Sequence, residues 1–220
     1  MRTRTLQIQS RVGSVTGKLT GEPGSVGIVL AHGAGAGQAH PWMVTMRGLL
    51  AAWDLAVMTF NYRYTELERK RPDSAAVLLD VHEAAVGRLL TYCDRVVLAG
   101  KSMGARMGSH LVAERGVETA ALVSYGYPLV PLGKGEPRST AHLESIRVPQ
   151  LFFAGTRDRL GPPDLIEDRA ARIPSARVIV IEDADHSFRL PKRAGRAPEA
   201  VLTDIAADTA GWLRSVGVAS

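Results

Sequence analysis

The residues with the clearest capacity for chemistry are Gly100-Lys-Ser-Met-Gly104. An apolar run at 96–99 precedes this pentapeptide, and a helix-like run at 105–114 follows it. A serine on a tight turn between a strand and a helix exposes its Oγ, and small residues on either side avoid a collision across the turn. With 22 glycines in the chain, G-x-S-x-G alone is a modest signal. Its position between a strand and a helix predicts that Ser102 is a nucleophile.

A serine hydroxyl needs a base, because it is a poor nucleophile at neutral pH. His186 directly follows the predicted strand at 177–181, where its ring could reach over a serine on a central strand. The alternative is a loop histidine that caps Asp183 or Asp185. His32 also follows a strand, but the glycine-rich turn after it favours a structural or oxyanion-loop role. The remaining histidines lie within or beside predicted helices: His40, His82, His110 and His142.

The third group must hold the imidazole in the correct tautomer and stabilise its positive form. Asp158 begins the loop after the predicted strand at 150–154 and is the favoured acid. Asp183 and Asp185 are rivals, but a residue one or three positions from His186 reaches its Nδ1 only by distorting the loop. The resulting chain order is serine, aspartate, histidine, as in α/β-hydrolases.

Acyl transfer also needs hydrogen-bond donors for the developing oxyanion. The backbone N–H of Met103, at the start of the helix after the serine, is one candidate. The second should come from the glycine-rich loop at 32–37, where small residues let the main chain approach a substrate closely. Ala34 N–H is the first choice, and Gly35 N–H is its rival.

Cofactor and metal motifs are incomplete. The glycine loop does not fit G-x-G-x-x-G, because Gln38 or His40 stands where the last glycine is required. No Walker A sequence is present. His82-Glu83 lacks the second histidine of H-E-x-x-H, since Val86 occupies that position. The sequence therefore predicts neither a cofactor nor a metal.

The elements that must position these residues alternate between short apolar runs and longer amphipathic ones. This alternation predicts an α/β fold with a mostly parallel sheet, an N-terminal antiparallel hairpin and helices on both faces. With 220 residues and 45% hydrophobic content, we expect one domain over 1–220 and no separate lid. The stretch at 126–140 should lie at the same sheet edge as Ser102. Predicted strands are 6–9, 17–20, 26–31, 55–61, 95–99, 121–124, 150–154 and 177–181, and predicted helices are 41–53, 74–92, 103–114, 163–173 and 198–216.

Charge and cysteine content restrict partners and location. The formal net charge is +5, and the basic residues are scattered among acids. One acid-free block is more typical of a solvated surface than of nucleic-acid binding. The single cysteine, Cys93, allows no intramolecular disulfide. We expect a cytoplasmic protein with no signal peptide, membrane span or nucleic-acid partner, and the oligomeric state stays open. The basic block is Arg189, Lys192, Arg193 and Arg196.

Five groups of motifs occur together between about 26 and 212. They are Leu30-Ala-His-Gly-Ala-Gly-Ala-Gly37, Phe60-Asn-Tyr62 with Arg71-Pro-Asp73, Gly100-Lys-Ser-Met-Gly-Ala-Arg106, Gly126-Tyr-Pro-Leu129 with Gly133-Lys134, and Gly155-Thr-Arg-Asp158. As a set they resemble the α/β-hydrolase superfamily, within it the small lidless group related to dienelactone hydrolases, and most closely the testis-expressed-30 and KANSL3-like hydrolase domain family. Ala105 stands where that family often has a second glycine.

The resemblance implies a nucleophile at Ser102, an acid at Asp158, a base at His186 and an oxyanion loop at 33–35. We therefore expect a serine hydrolase, carboxylesterase-like or dienelactone-hydrolase-like, that cleaves a small ester, thioester or lactone-like acyl substrate through an acyl-enzyme. The alternative is a non-catalytic hydrolase-fold binding module. Three loop cations could favour a carboxylated substrate: Arg63, Lys134 and Arg189.

Overall fold

One eight-stranded sheet organises the computed structural model, which describes residues 1–131, 133 and 135–219. The sheet order is β1-β2-β4-β3-β5-β6-β7-β8. Strands β1 and β2 form an antiparallel hairpin, and β2 also pairs antiparallel with β4. All the other neighbouring strands are parallel. The predicted fold class is confirmed. The strands are β1 (Thr3–Ser10), β2 (Gly13–Thr20), β3 (Gly24–Ala31), β4 (Ala56–Phe60), β5 (Cys93–Lys101), β6 (Ala121–Tyr125), β7 (Gln150–Gly155) and β8 (Ala176–Ile181).

Helices cover both faces of this sheet. The first and last helices pack on one face, and the other helices pack on the opposite face. This arrangement explains the mostly apolar sequences of β4, β6 and β7, in which every residue is buried. The helices are α1 (Pro41–Ala51), α2 (Arg63–Glu66), α3 (Ala75–Leu89), α4 (Met103–Arg115), α5 (Ala141–Ser145), α6 (Pro163–Ala170) and α7 (Pro198–Ser215), and a 3₁₀ turn spans Lys192–Ala194.

The sequence did not predict the three shortest helical elements, α2, α5 and the 3₁₀ turn. Each has five residues or fewer, too few to show a helical repeat of apolar positions. As a consequence, His142 lies inside α5 and not beside a helix. Within the described residues, no inserted domain covers the carboxyl edge of the sheet. That part of the chain also contains no helix with the length and hydrophobicity needed to cross a lipid bilayer.

Candidate active site

Ser102 occupies a strained turn between β5 and α4. Its backbone has φ 52° and ψ −115°, a region that residues with a Cβ rarely adopt. A Cβ on Gly100 would overlap the Ala105 amide nitrogen, and a Cβ on Gly104 would overlap the Ala31 carbonyl. The two glycines are therefore needed for α4 to begin this close to β3 and β5. The turn lifts the partly exposed Ser102 above the carboxyl ends of the strands.

The structure brings Ser102, Asp158 and His186 together. The Ser102 Oγ lies 2.9 Å from His186 Nε2, and His186 Nδ1 lies 2.7 Å from Asp158 Oδ2. Because β5, β7 and β8 run parallel, the loops that carry these residues meet at one edge of the sheet. An ionised carboxylate only accepts hydrogen bonds, so Nδ1 carries the ring proton and Nε2 is free to accept the Ser102 proton.

The Asp158 carboxylate is buried, and both of its oxygens accept hydrogen bonds. Its side chain is 1% exposed. Oδ1 accepts the N–H groups of Leu160 and Gly161 at 2.8 and 3.2 Å, and Oδ2 accepts from His186. Burial alone would raise the pKa of Asp158, but these hydrogen bonds and the charge of a protonated His186 outweigh it and lower the pKa. Asp158 is therefore ionised at neutral pH.

The rival acids are engaged elsewhere. Asp183 pairs with Arg193 at 3.3 Å. Asp185 Oδ1 accepts the N–H groups of Ser187 and Arg189, which fixes the loop around His186. Neither aspartate contacts the imidazole, so the preference for Asp158 over them agrees with the geometry.

The glycine loop after β3 passes next to Ser102. A Cβ on Gly33 would lie 3.5 Å from the Ser102 Cβ, so the main chain at this point borders the serine. The N–H groups of Ala34 and Met103 donate to no acceptor within the described residues. Gly35 is exposed and adopts φ +71°, the left-handed conformation that glycine tolerates. Two main-chain N–H groups are thus free to donate to an oxyanion: one belongs to the residue after the serine, and the other to the residue after Gly33 in the loop that borders it.

His32 has the structural role that its position predicted. Its Nε2 accepts the Tyr62 N–H at 3.2 Å, which leaves Nδ1 protonated to donate to the Gly33 carbonyl at 2.8 Å. Burial lowers the pKa of His32 to about 4, so the ring is neutral and keeps this tautomer. Farther along the loop, Gln38 N–H donates to Asn61 Oδ1 at 3.0 Å. Both ends of the glycine loop are therefore tied to the segment after β4.

A small cavity of about 120 Å³ opens onto Ser102. A groove of about 500 Å³ lies on the far side of the glycine loop, and both spaces border Ala36. A larger groove of about 750 Å³ lies around Arg95, Glu118 and Arg147 and includes none of Ser102, Asp158 and His186. The cavity beside Ser102 is lined by Gly33, Ala36, His40, Trp42, Met43, Lys101, Ser102, His186 and Ser187.

Three cations are predicted to contact substrate, and the two that the structure describes, Arg63 and Arg189, do not line this cavity. Arg63 donates to the Ser14 carbonyl at 3.0 Å and packs on the N-terminal hairpin. Arg189 is exposed, and its main chain closes the His186 loop. Lys134 lies outside the described residues. The cation that does line the cavity is Lys101, which the sequence reading missed. Strand alternation could have identified it, because position 101 shares a face with the buried Val97 and Ala99.

Comparison with known proteins defines the class. The sequence profile of the alpha/beta hydrolase domain family matches residues 24–214. The chain therefore belongs to the alpha/beta hydrolase domain family. No curated protein sequence matches the chain.

Solved structures show the same fold at low sequence identity. An alpha-beta serine hydrolase homologue from Coxiella burnetii is 21% identical with a TM-score of 0.76, covering 95% of this chain and 98% of its own. Dienelactone hydrolase from Anabaena variabilis is 22% identical with a TM-score of 0.76, covering 97% of both chains. A thermophilic esterase from Thermogutta terrifontis is 17% identical with a TM-score of 0.73, covering 97% of this chain and 99% of its own.

Proposed function

We propose that this protein is a serine hydrolase that cleaves a small ester, thioester or lactone-like substrate through an acyl-enzyme intermediate. The observation that carries the proposal is the hydrogen-bonded chain from Ser102 through His186 to a buried, ionised Asp158. A binding module would have no need of a strained serine aligned with a base and an acid, so the enzyme is favoured over that alternative.

The first half-reaction transfers the acyl group to the enzyme. His186 Nε2 accepts the Ser102 proton while Oγ attacks the substrate carbonyl. The imidazolium then donates this proton to the leaving alcohol, thiol or, in a lactone, the ring oxygen, and Asp158 stabilises the positive ring. In the second half-reaction, His186 takes a proton from water, the hydroxide attacks the acyl-enzyme, and Ser102 recovers its proton.

The N–H groups of Met103 and Ala34 stabilise the oxyanion in both half-reactions. They belong to the main chain at the start of α4 and in the glycine loop, whose two ends are held by hydrogen bonds, so they need little reorganisation as charge develops. A donor of this kind contributes about 10²–10³ in rate. Gly35 N–H is the rival second donor.

Size supports a small acyl group. The cavity beside Ser102 has a volume of only about 120 Å³, and no inserted domain in the described residues builds a longer tunnel. Both a carboxylesterase type and a dienelactone hydrolase type fit this space, and we place the protein in the testis-expressed-30-like group of lidless hydrolases. In this proposal the partner is a small cytoplasmic acyl compound, not a nucleic acid or a membrane.

Labelling with a fluorophosphonate probe tests the proposal directly, together with turnover of short p-nitrophenyl esters. Wild type should be labelled and active, and Ser102→Ala should lose both. Ser109→Ala is the matched control, because Ser109 also lies within hydrogen-bond distance of a histidine, and it should keep both. A folded wild type that takes no label would favour the binding-module alternative.

A further inference from the structure

Lys101 places a buried amine next to the imidazole of His186. Lys101 is the last residue of β5, and its Nζ is closed to solvent and has no hydrogen-bond partner within the described residues. A Cβ on Gly126 would lie 3.2 Å from Lys101 Nζ and 3.3 Å from both Nδ1 and Cε1 of His186. Only the width of this glycine therefore separates the amine from the edge of the ring that donates to Asp158.

The loop that carries His186 also contacts the amine on another side. The centroid of the Phe188 ring lies 5.7 Å from Lys101 Nζ, a distance at which the face of an aromatic ring attracts a cation. Phe188 is 1% exposed and adopts φ 61°, a left-handed conformation that is rare for a residue with a Cβ. Its N–H donates to the Asp185 carbonyl at 2.8 Å. The strained loop therefore holds both the imidazole and the Phe188 ring against the same amine.

The amine is charged at the pH where an imidazole exchanges its proton. Burial lowers the pKa of Lys101 to about 8, while the carboxylates of Asp158 and Asp185 act in the opposite direction. An imidazole ordinarily titrates near pH 6.5. Lys101 is therefore an ammonium ion throughout that transition, and it lies within electrostatic reach of the acid that holds the base.

The other titratable groups around the ring and the amine do not replace this charge. His40 lines the same cavity but is exposed. Tyr125 is the neighbour of Lys101 in β6, and burial raises its pKa, so the phenol stays neutral. Arg157 and Arg189 lie on the loops after β7 and β8, and both are exposed, where water and salt screen their charges. The charge of Lys101 is screened far less because it is buried.

We propose that Lys101 is a positioning residue for proton transfer: its buried ammonium offsets part of the negative charge of Asp158 and keeps the His186 imidazole unprotonated, and ready to act as a base, at lower pH. The inference deepens the proposed function and rests on it. The carboxylate stabilises the imidazolium, whereas a like charge nearby destabilises it. With both groups present, the imidazolium that forms on attack is stabilised and still releases its proton readily to the leaving group.

The position of the acid limb in the pH dependence of kcat/KM tests the inference. Wild type is compared with Lys101→Met, which keeps the length of the side chain and removes its charge, on p-nitrophenyl acetate from pH 5 to 9.5. The limb should move upward by about one pH unit in Lys101→Met, because the carboxylate then stabilises the imidazolium unopposed. The two plateaus should be close near pH 9.5, since Lys101 of wild type is itself uncharged there.

Two further variants separate charge from packing. Lys101→Arg keeps a charge that does not titrate in this range, and its acid limb should stay at the wild-type position. Arg189→Met removes an exposed charge from the loop of the base and should also leave the limb in place.

Three results of this comparison overturn the inference. The first is an acid limb of Lys101→Met that coincides with that of wild type, whether or not the plateau falls, because a fall in the plateau alone indicates a purely structural role. The second is a limb that moves equally in Lys101→Arg and Lys101→Met. The third is a limb that moves as far in Arg189→Met as in Lys101→Met.

A titration of wild type keeps the test independent of the folding of the Lys101 variants. In protein labelled with carbon-13 at histidine Cε1, the His186 signal is identified by its absence from His186→Phe. This signal should shift a second time near pH 8, as the neighbouring ammonium loses its proton. An active wild type without that second step would overturn the inference alone. A wild type that takes no fluorophosphonate and cleaves no ester would overturn the proposed function, and the inference with it.

Discussion

Two serine–histidine pairs lie in this molecule at nearly the same distance, yet only one has the surroundings of a nucleophile. Ser102 Oγ is 2.9 Å from His186 Nε2, and Ser109 Oγ is 3.0 Å from His142 Nε2. Both serines belong to the same region, one at the start of α4 and the other two turns into it. Comparing the two pairs shows which features an active site requires in addition to a short distance between serine and histidine.

The hydroxyl groups of Ser102 and Ser109 have different hydrogen-bond acceptors. Ser109 is buried in a regular helix, and its hydroxyl donates to the Arg106 carbonyl at 2.8 Å. The hydroxyl hydrogen is therefore not directed at His142. Ser102 sits outside the helical conformation, on the strained turn, and its only side-chain partner in the described residues is His186. The strained backbone keeps the Ser102 hydroxyl away from the main-chain acceptor that a helical serine finds.

The two histidines also differ. His186 has a buried carboxylate on Nδ1, whereas His142 stacks on His110 with ring centroids 4.0 Å apart. Burial, helped by the nearby charges of His110 and Arg106, lowers the pKa of His142 to about 4. A ring with so low a pKa is a weak base at neutral pH. The comparison therefore shows that the acid partner and the backbone turn, and not the serine–histidine distance, distinguish the two pairs.

Removing the acid from the first pair should have the largest effect. In Asp158→Asn, the amide oxygen would take the place of Oδ1 and accept from Leu160 and Gly161, which turns the NH₂ group toward His186. Nδ1 must then accept, so Nε2 carries the proton and cannot receive one from Ser102. Ester turnover should fall about 10⁴-fold, measured as kcat with p-nitrophenyl acetate.

The control for this substitution comes from the second pair. Glu114 contacts His110 Nδ1 at 2.6 Å, and Glu114→Gln should leave turnover within about twofold. If Asp158→Asn kept more than a tenth of wild-type activity, Asp158 would not be the acid on which the proposed mechanism depends.

Sequence reasoning located the first pair because parallel strands place their following loops at one edge. Ser102, Asp158 and His186 each lie within five residues of the end of a strand, so strand order brings them together. The second pair could not be predicted in this way, because it joins α4 to the short helix α5, which has too few residues to show a period. Lys101 was missed for another reason. Its charge is atypical of a buried strand, and this hides the alternation that puts position 101 on the same strand face as the buried Val97 and Ala99.

The turn itself can be tested with two glycines of α4. Gly104→Ala would place a methyl group in overlap with the Ala31 carbonyl, so α4 must move away from β3. We expect a loss of about 1–3 kcal/mol in the free energy of unfolding and weaker fluorophosphonate labelling. Urea unfolding followed by circular dichroism measures the first effect, and gel fluorescence measures the second.

Gly108→Ala provides the matched substitution one turn along the same helix. There the new Cβ would lie 3.5 Å from His82 Cε1 and 3.7 Å from Leu98 Cβ, which are ordinary contacts. Alanine should therefore stabilise the protein by about 0.5–1 kcal/mol through its higher helix propensity, with labelling unchanged. Equal effects of the two substitutions would mean that the close approach of α4 to β3 is not what holds Ser102 in its turn.

The remaining prediction concerns stability at acidic pH and belongs to the second pair. The pKa of His142 is about 4 in the folded protein and about 6.5 in the unfolded chain, so the unfolded chain binds more protons between these values. The contribution of His142 to stability is therefore complete above pH 6.5 and is lost as pH falls toward 4. Burial lowers the pKa of His32 to about 4 and that of His82 to about 3, and these rings act in the same direction.

His142→Phe removes one of these titrations while it preserves a ring against His110. The decrease in the free energy of unfolding between pH 6.5 and 4 should shrink by about 1–2 kcal/mol, after discounting for the partial exposure of His142. Urea unfolding at a series of pH values measures this change. Ester turnover at pH 7.5 should persist in His142→Phe and disappear in His186→Phe. If the stability of His142→Phe fell with pH as steeply as that of wild type, the acid sensitivity would come from His32 and His82 alone. Those two rings are more deeply buried than His142.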